Sequence, residues 1–235
     1  MEPLLTRLRA QLATLADPAV ALGAERYFHH PDGLHHYGVR TPDIRRLARE
    51  AFADEMHDWT PARRNALCRA LWTGGHFEEG VLAIELYRRL ARQCGPCEFM
   101  LFSQWLDRYV HNWAHCDGVT QYLLRAALHN DPALVAELPA WTASPNRWKR
   151  RAAATALIHE VRRGQHLTEA LSICDLLRRD ADDMVRKGVG WMLKNAAQFH
   201  PAPTLRFLFA ADRPAFPRPV LRIVAEKLPS LYAKL

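Results

Sequence analysis

Apolar residues recur every three or four positions along almost the whole chain, the spacing of an amphipathic helix and not the alternation of a strand. Leu4, Leu5, Leu8, Leu12 and Leu15 form such a stripe, and Asp17-Pro18 ends it. Thr41-Pro42-Asp43 reads as an N-cap followed by proline in the first turn. Its helix turns Ile44, Leu47, Ala48 and Ala51 inward and Arg45, Arg46 and Arg49 outward. Thr60-Pro61 opens a helix through Leu67, Ala70 and Leu71, and His76 to Ala91 gives another on Val81, Ile84, Leu86 and Leu90. Further helices are expected near 97–108, 113–129, 132–141, 146–163, 168–179, 182–199, 202–210 and 217–233.

The breaks between them are short: Asp131-Pro132, Ser144-Pro145, Gly164, Asp180 and Pro201. Short helices on tight links suggest stacked antiparallel pairs. Asn112-Trp113, Asn146-Arg147-Trp148 and Met184-Val185-Arg186 recur about every 36 residues, each opening a helix rich in small and aliphatic residues, and that period fits a HEAT-like repeat. Ordinary helix packing can produce the same spacing. The expectation is an all-α, HEAT-like α-solenoid forming a single domain over 1–235, with the recurring helices lining one concave surface.

Composition narrows the partner. The 235 residues are 49% apolar, enough for a full core, and the formal net charge is +7. A basic surplus favours a polyanion, with nucleic acid ahead of a membrane surface. No run of 18 apolar residues exists, so no membrane span is expected. Met1 to Arg7 lacks the pattern of a signal peptide, making the cytoplasm the default compartment. The five cysteines are odd in number and scattered, consistent with reduced thiols.

Three stretches carry candidate chemistry. In a helix, Trp113 and Asp117 are four apart and share a face. An indole attracts a cation, and a carboxylate stabilises a second developing positive charge. A core tryptophan beside a solvated or capping aspartate would look the same. The second stretch, Asn146 to Ala154, surrounds Trp148 with Arg147, Lys149, Arg150 and Arg151. It is either a phosphate-binding face or a solvated basic face over a buried tryptophan. The third, Val185 to Lys194, sets Arg186, Lys187, Trp191 and Lys194 around Gly188 and Gly190. Each glycine costs roughly 1 kcal/mol relative to alanine within a helix, so close approach of another backbone, from a neighbouring helix or a bound polymer, is expected to compensate.

The ordered set Trp113-x3-Asp117, Trp148-x2-Arg151-Ala152-Ala153 and Gly190-Trp191 resembles the AlkD-type DNA glycosylases of the HEAT-like DNA alkylation repair family. Tyr27 and Gly38-Val39-Arg40-Thr41-Pro42 resemble that family's N-terminal region, and the resemblance runs from about residue 20 to 220. It implies a C-shaped, all-helical repeat protein that holds duplex DNA in a basic concave groove as a monomer. It also implies nucleoid-associated work and hydrolysis of the N-glycosidic bond of N3- or N7-alkylated purines without a cofactor, a metal or the usual flipped-base pocket. Asp117 matches the catalytic carboxylate, Trp113 and Trp191 the aromatics flanking the lesion, Arg151 the cleft arginine, and Tyr27 a DNA-contacting aromatic. Thr41, Arg147, Lys149, Arg150, Arg186, Lys187 and Lys194 complete the expected DNA-binding set. The chain departs from some members in having Asp183-Met184 where they carry aromatics and Asn112 where they carry a second tryptophan.

Other signals are weaker. Cys94-Gly95-Pro96-Cys97 repeats the thioredoxin tetrapeptide but lacks a preceding strand. His111, His115 and Asp117 have metal-ligand spacing, though a metal there would compete with the carboxylate's role. His29-His30 and His35-His36 bracket Pro31-Asp32-Gly33, either as a polar loop that could touch phosphate near the groove or as a chance cluster. Two rivals to the glycosylase remain: a non-catalytic relative that binds damaged or branched DNA, and a protein-interaction scaffold.

Overall fold

The computed structural model describes residues 1–28, 34–210 and 214–228. These are helical, with no strand among them, and no helix is long and apolar enough to cross a membrane. The loop histidines His29 and His30, and the expected helix beyond residue 228, lie outside the described residues. The chain divides into two compact units, Met1–Gln93 and Cys94–Leu235.

In the first unit, α1 (Glu2–Thr14) buries Leu4, Leu5, Leu8 and Leu12, as its stripe predicts. Asp17 does more than end this helix. Its carboxylate accepts the backbone N–H of Ala19 at 2.9 Å and so starts α2 (Pro18–Phe28), an element the apolar spacing did not announce. Then come α3 (Thr41–Ala51), continued by a π-turn at Phe52–Met56, α4 (Pro61–Trp72) and α5 (Phe77–Arg88). The cap of α3 is Arg40 and Thr41 is its first residue, one position from the expected boundary. Thr60 caps α4 as expected, accepting from the N–H of Arg63 at 3.4 Å.

Almost all of α5 is buried, including Glu78, Glu79 and Glu85. Each carboxylate is occupied, as a buried charge must be. Glu78 accepts the backbone N–H groups of Tyr37, Gly38 and Val39 at 3.0, 2.8 and 3.2 Å. Glu79 takes Arg9 in a fork and the Tyr37 hydroxyl at 3.1 Å, while Glu85 takes Arg45 and Arg88. Gly38 sits at φ +81°, where a Cβ would lie 2.1 Å from the carbonyl oxygen of Asp17. The stretch 37–39 is therefore a backbone segment pinned by Glu78.

The second unit contains α6 (Pro96–Arg108), α7 (Trp113–Gly118), α8 (Arg125–Asn130), α9 (Leu138–Trp141), α10 (Arg147–Thr155), α11 (Ile158–Arg162), α12 (Leu167–Leu176), α13 (Asp183–Phe199), α14 (Pro201–Leu208) and α15 (Arg218–Ala225). Three helices expected to be continuous are interrupted. A π-turn at Val119–Leu124 joins α7 to α8, a 3₁₀ turn at Pro132–Glu137 leads into α9, and α10 and α11 separate after Thr155. Thr120 and Thr155 each turn their hydroxyl back onto a carbonyl four residues earlier, at 2.7 and 3.0 Å, which loosens the helix ladder locally. The Thr155 carbonyl freed by the break receives the Gln121 side-chain amide at 2.9 Å. Phe99, Phe102 and Trp105 of α6, Trp148 of α10 and Val185, Val189, Met192 and Leu193 of α13 fill the core of this unit.

Candidate active site

The recurring helices α7, α10 and α13 begin the same way. Asn112, Asn146 and Asp182 are their N-caps, and each side chain accepts a backbone N–H from the first turn, at 2.8 Å from His115, Trp148 and Met184 respectively. Asn112, where the resemblance leads one to expect a tryptophan, is thus the cap of α7. Its amide also meets His115 Nδ1 at 3.0 Å, which holds that buried imidazole in the cap.

Asp117 and Arg151 occupy the same place after their caps, on adjacent helices. Arg151 donates Nε to one Asp117 oxygen at 2.9 Å and Nη2 to the other at 2.8 Å, a bidentate pair. Its Nη1 reaches the backbone carbonyl of Met184 at 2.7 Å. One guanidinium therefore ties α7, α10 and α13 together. Burial opposes its charge, but the hydrogen bonds and attraction to Asp117 win and raise its pKa. The arginine is 8% exposed and Asp117 17%, so the carboxylate is the more accessible partner. Each of its oxygens keeps a lone pair for something else.

Gly188 explains how α13 comes so close. A Cβ there would lie 3.2 Å from Arg151 Cγ and 3.4 Å from Thr155 Cγ2. At Gly190 it would lie 2.7 Å from Ile223 of α15. Both glycines thus accommodate neighbouring helices. Trp113 and Trp191 are partly exposed, whereas Trp148 is buried, with Arg147 stacked 4.7 Å over its ring. Cys116 donates its Sγ–H to the Trp148 carbonyl at 3.3 Å, and burial pushes its thiol well up.

The basic residues divide into two kinds. Arg150 and Arg186, at matching positions after their caps, both reach back to the turn before the helix. Arg150 meets the carbonyls of Ser144 and Pro145, and Arg186 those of Asp180 and Ala181. They buttress turns, where the sequence pattern suggests a phosphate face. Both also pair with a carboxylate, Arg150 with Asp180 at 2.7 Å and Arg186 with Asp183 at 3.6 Å, whereas the rest are ion-paired without reaching a turn carbonyl: Arg147 with Asp182, Lys149 with Asp107 at 2.7 Å, Lys187 with Asp183 at 2.7 Å, and Lys194 with Glu226 at 3.0 Å. Sequence reasoning missed these acidic partners, several of which lie tens of residues away. Tyr27 is 68% exposed at the end of α2, and Thr41 is exposed at the start of α3.

The histidines and the cysteine tetrapeptide are placed differently from what their spacing suggests. His111 is exposed and His115 is held in the cap, and among the described residues no group of three His, Cys, Asp or Glu is arranged to hold a metal. Cys94 is buried, with its pKa pushed up to about 12 by that burial, while Cys97 is exposed. This reverses the order that makes the first thiol of a thioredoxin site reactive.

Comparison with known proteins agrees with the fold. A predicted DNA alkylation repair enzyme from Enterococcus faecalis superimposes with a TM-score of 0.80 at 15% identity, covering 91% of this chain and 96% of that one. AlkD2 from Streptococcus mutans gives 0.61 at 14% identity, covering 88% and 97%. The smu.31 protein of Streptococcus mutans UA159 gives 0.57 at 15% identity, covering 78% and 95%. Among curated proteins nothing matches. The family described as DNA alkylation repair enzyme matches residues 8–228, nearly the whole sequence, and the chain belongs to that family, with the fold of AlkD-type helical-repeat proteins.

Proposed function

We propose that the protein is a DNA glycosylase that hydrolyses the N-glycosidic bond of cationic N3- and N7-alkylated purines in duplex DNA. The observation that carries this reading is the convergence of α7, α10 and α13 on the Asp117–Arg151 pair, with partly exposed indoles on α7 and α13. An alkylated purine already bears positive charge, which an indole face attracts. It departs as a neutral base with the glycosidic electron pair, so no general acid is required. His115, the nearest candidate acid, is committed to the Asn112 cap. Charge then develops on the sugar, and a fixed carboxylate stabilises it and orients the water that adds to C1′. Arg151 fixes that carboxylate, and α13 fixes Arg151.

Arg147, Lys149, Lys187 and Lys194 hold phosphates by exchanging their carboxylate partners. Arg150 and Arg186 act by shaping the turns. Tyr27 and Thr41 of the first unit contribute DNA contacts of their own, and the protein acts as a monomer. A non-catalytic DNA-binding relative is the second reading. It is favoured by the same bidentate pair, which on its own would serve as a clamp between helices.

Single-turnover assays on defined duplexes separate the two. The expected result is release of N7-methylguanine and N3-methyladenine, with little release of uracil, hypoxanthine or 8-oxoguanine. Asp117→Asn should retain duplex binding and lose about a hundredfold or more in rate. A wild-type protein that binds methylated duplex and releases no base would establish the second reading. Efficient uracil removal would sink the proposed mechanism.

A further inference from the structure

The surface cations of α10 and α13 all have carboxylate partners, but a second cluster does not. Arg125 of α8 donates Nη2 to His159 Nε2 of α11 at 2.8 Å. A guanidinium cannot accept, so this imidazole nitrogen does, and His159 is neutral. Burial, then Arg125, holds its pKa below the ordinary value. Arg162, one turn along α11, donates Nε to Asn195 Oδ1 of α13 at 2.8 Å. Asn195 in turn donates to the backbone carbonyl of Trp191 at 2.8 Å. Among the described residues neither Arg125 nor Arg162, nor the adjacent Arg163, pairs with a carboxylate. Glu160, the acidic group of this helix, is buried. His200, which packs from the far end of α13, points its ring nitrogen at the Val161 carbonyl.

A cluster of cations with no carboxylate paired to it, built around an imidazole that accepts from a guanidinium while the neighbouring Glu160 is turned into the core, is arranged for an anion. We infer that Arg125, His159 and Arg162 bind one backbone phosphate of the DNA strand, and that His159 takes up a proton as it does so. This inference rests on the duplex-binding part of the proposed function and extends it to a residue pair and a proton. Asn195 is one helical turn, about 6 Å, from Trp191, so the phosphate held here belongs to a nucleotide near the one the indole flanks. A phosphate oxygen replaces the imidazole as acceptor for Arg125. The freed Nε2 then gains more as a donor to the phosphate than as a bystander, which favours its protonated form. The proton comes from solvent, and no covalent bond changes.

The test is duplex affinity against pH, with the undamaged duplex as probe. In the wild type, affinity should fall by up to about tenfold per unit as pH rises between the free and bound His159 pKa values. His159→Gln keeps a neutral acceptor for Arg125 and should flatten that slope, removing the gain in affinity at low pH. Arg125→Gln should weaken binding at every pH and reduce the salt slope by about one unit. The His159 ring in NMR spectra should shift toward the doubly protonated form on adding duplex at pH 7. Tight duplex binding with a pH slope that His159→Gln does not alter overturns this inference and leaves the glycosylase reading intact. No duplex binding by the wild type at low salt overturns both. A ring shift with inorganic phosphate but none with bound duplex makes the cluster a free-anion site and overturns its assignment to DNA.

Discussion

Replacing Arg151 with methionine removes three hydrogen bonds at once and strands Asp117. The pair is largely shielded, at 8% and 17% exposure, so surface salt-bridge values do not apply. Removing one member of a buried pair typically costs about 3–5 kcal/mol. The residual exposure of Asp117 lets water reach the orphaned carboxylate, so the lower end, about 3 kcal/mol, is expected. In a chain of this length that is a fall of roughly 6–12 °C in Tm. Methionine fits the stem of Arg151 beneath Gly188, so little of the loss should come from a cavity. Adding Asp117→Leu removes the stranded charge, and the double variant should recover about 2 kcal/mol relative to Arg151→Met while releasing no base. Chemical denaturation of the four proteins gives the cycle. A loss under about 1 kcal/mol in Arg151→Met, or a double variant no better than the single, would show that the pair is solvated and that the fork does not hold the three helices.

Three further outcomes follow from other sites. Gly188→Ala should press on the Arg151 stem and slow base release several-fold at nearly unchanged stability, whereas Gly190→Ala should meet only Ile223, cost about 1 kcal/mol and leave the rate alone; equal effects in both assays would argue against the contrast. His36 has its pKa lowered by burial, so its contribution to stability is present above the unfolded value of about 6.5 and is lost as pH falls below it toward the folded pKa; His36→Gln should flatten the acid limb of the stability profile in that window. A thiol reagent at pH 8 should label Cys97 in the folded protein and reach Cys68, Cys94, Cys116 and Cys174 only on unfolding, as mass spectrometry of the peptides would show.

The helical class was legible because its signals are local. Stripes such as Leu4 to Leu12 and Ile44 to Ala51 face inward as their spacing requires, and the openings at Thr60, Asn112, Asn146 and Asp182 are short polar caps. The two glycines of α13 also announced close packing from sequence alone. What could not be read depends on distant partners. Nothing near Lys149 signals Asp107, and nothing near Gly38 signals that Glu78 will gather three backbone N–H groups beneath it. The break after Thr155 was hidden because its residues are good helix formers, and the interruption rests on a threonine hydroxyl and on Gln121 from another helix. The order of Asp117 and Arg151 along the chain marks them as candidates. Their fork, and the Met184 carbonyl that completes it, needed three dimensions.

The surface ion pairs of α10 and α13 make this face an ion exchanger already loaded with internal carboxylates. If this face binds DNA as proposed, each strand phosphate that engages Lys149 or Lys187 would displace Asp107 or Asp183 in place of a mobile salt ion. Binding would then liberate fewer ions than the number of contacts implies, and affinity would decline with salt less steeply than about 0.9 per phosphate. A protein of net charge +7 so arranged would be a poor trap for arbitrary polyanions. Its grip would be strongest where several phosphates arrive together at fixed spacing, because only then could all the exchanges proceed at once. Removing one internal anion, as in Asp107→Asn, would turn a selective surface into a stickier and less discriminating one.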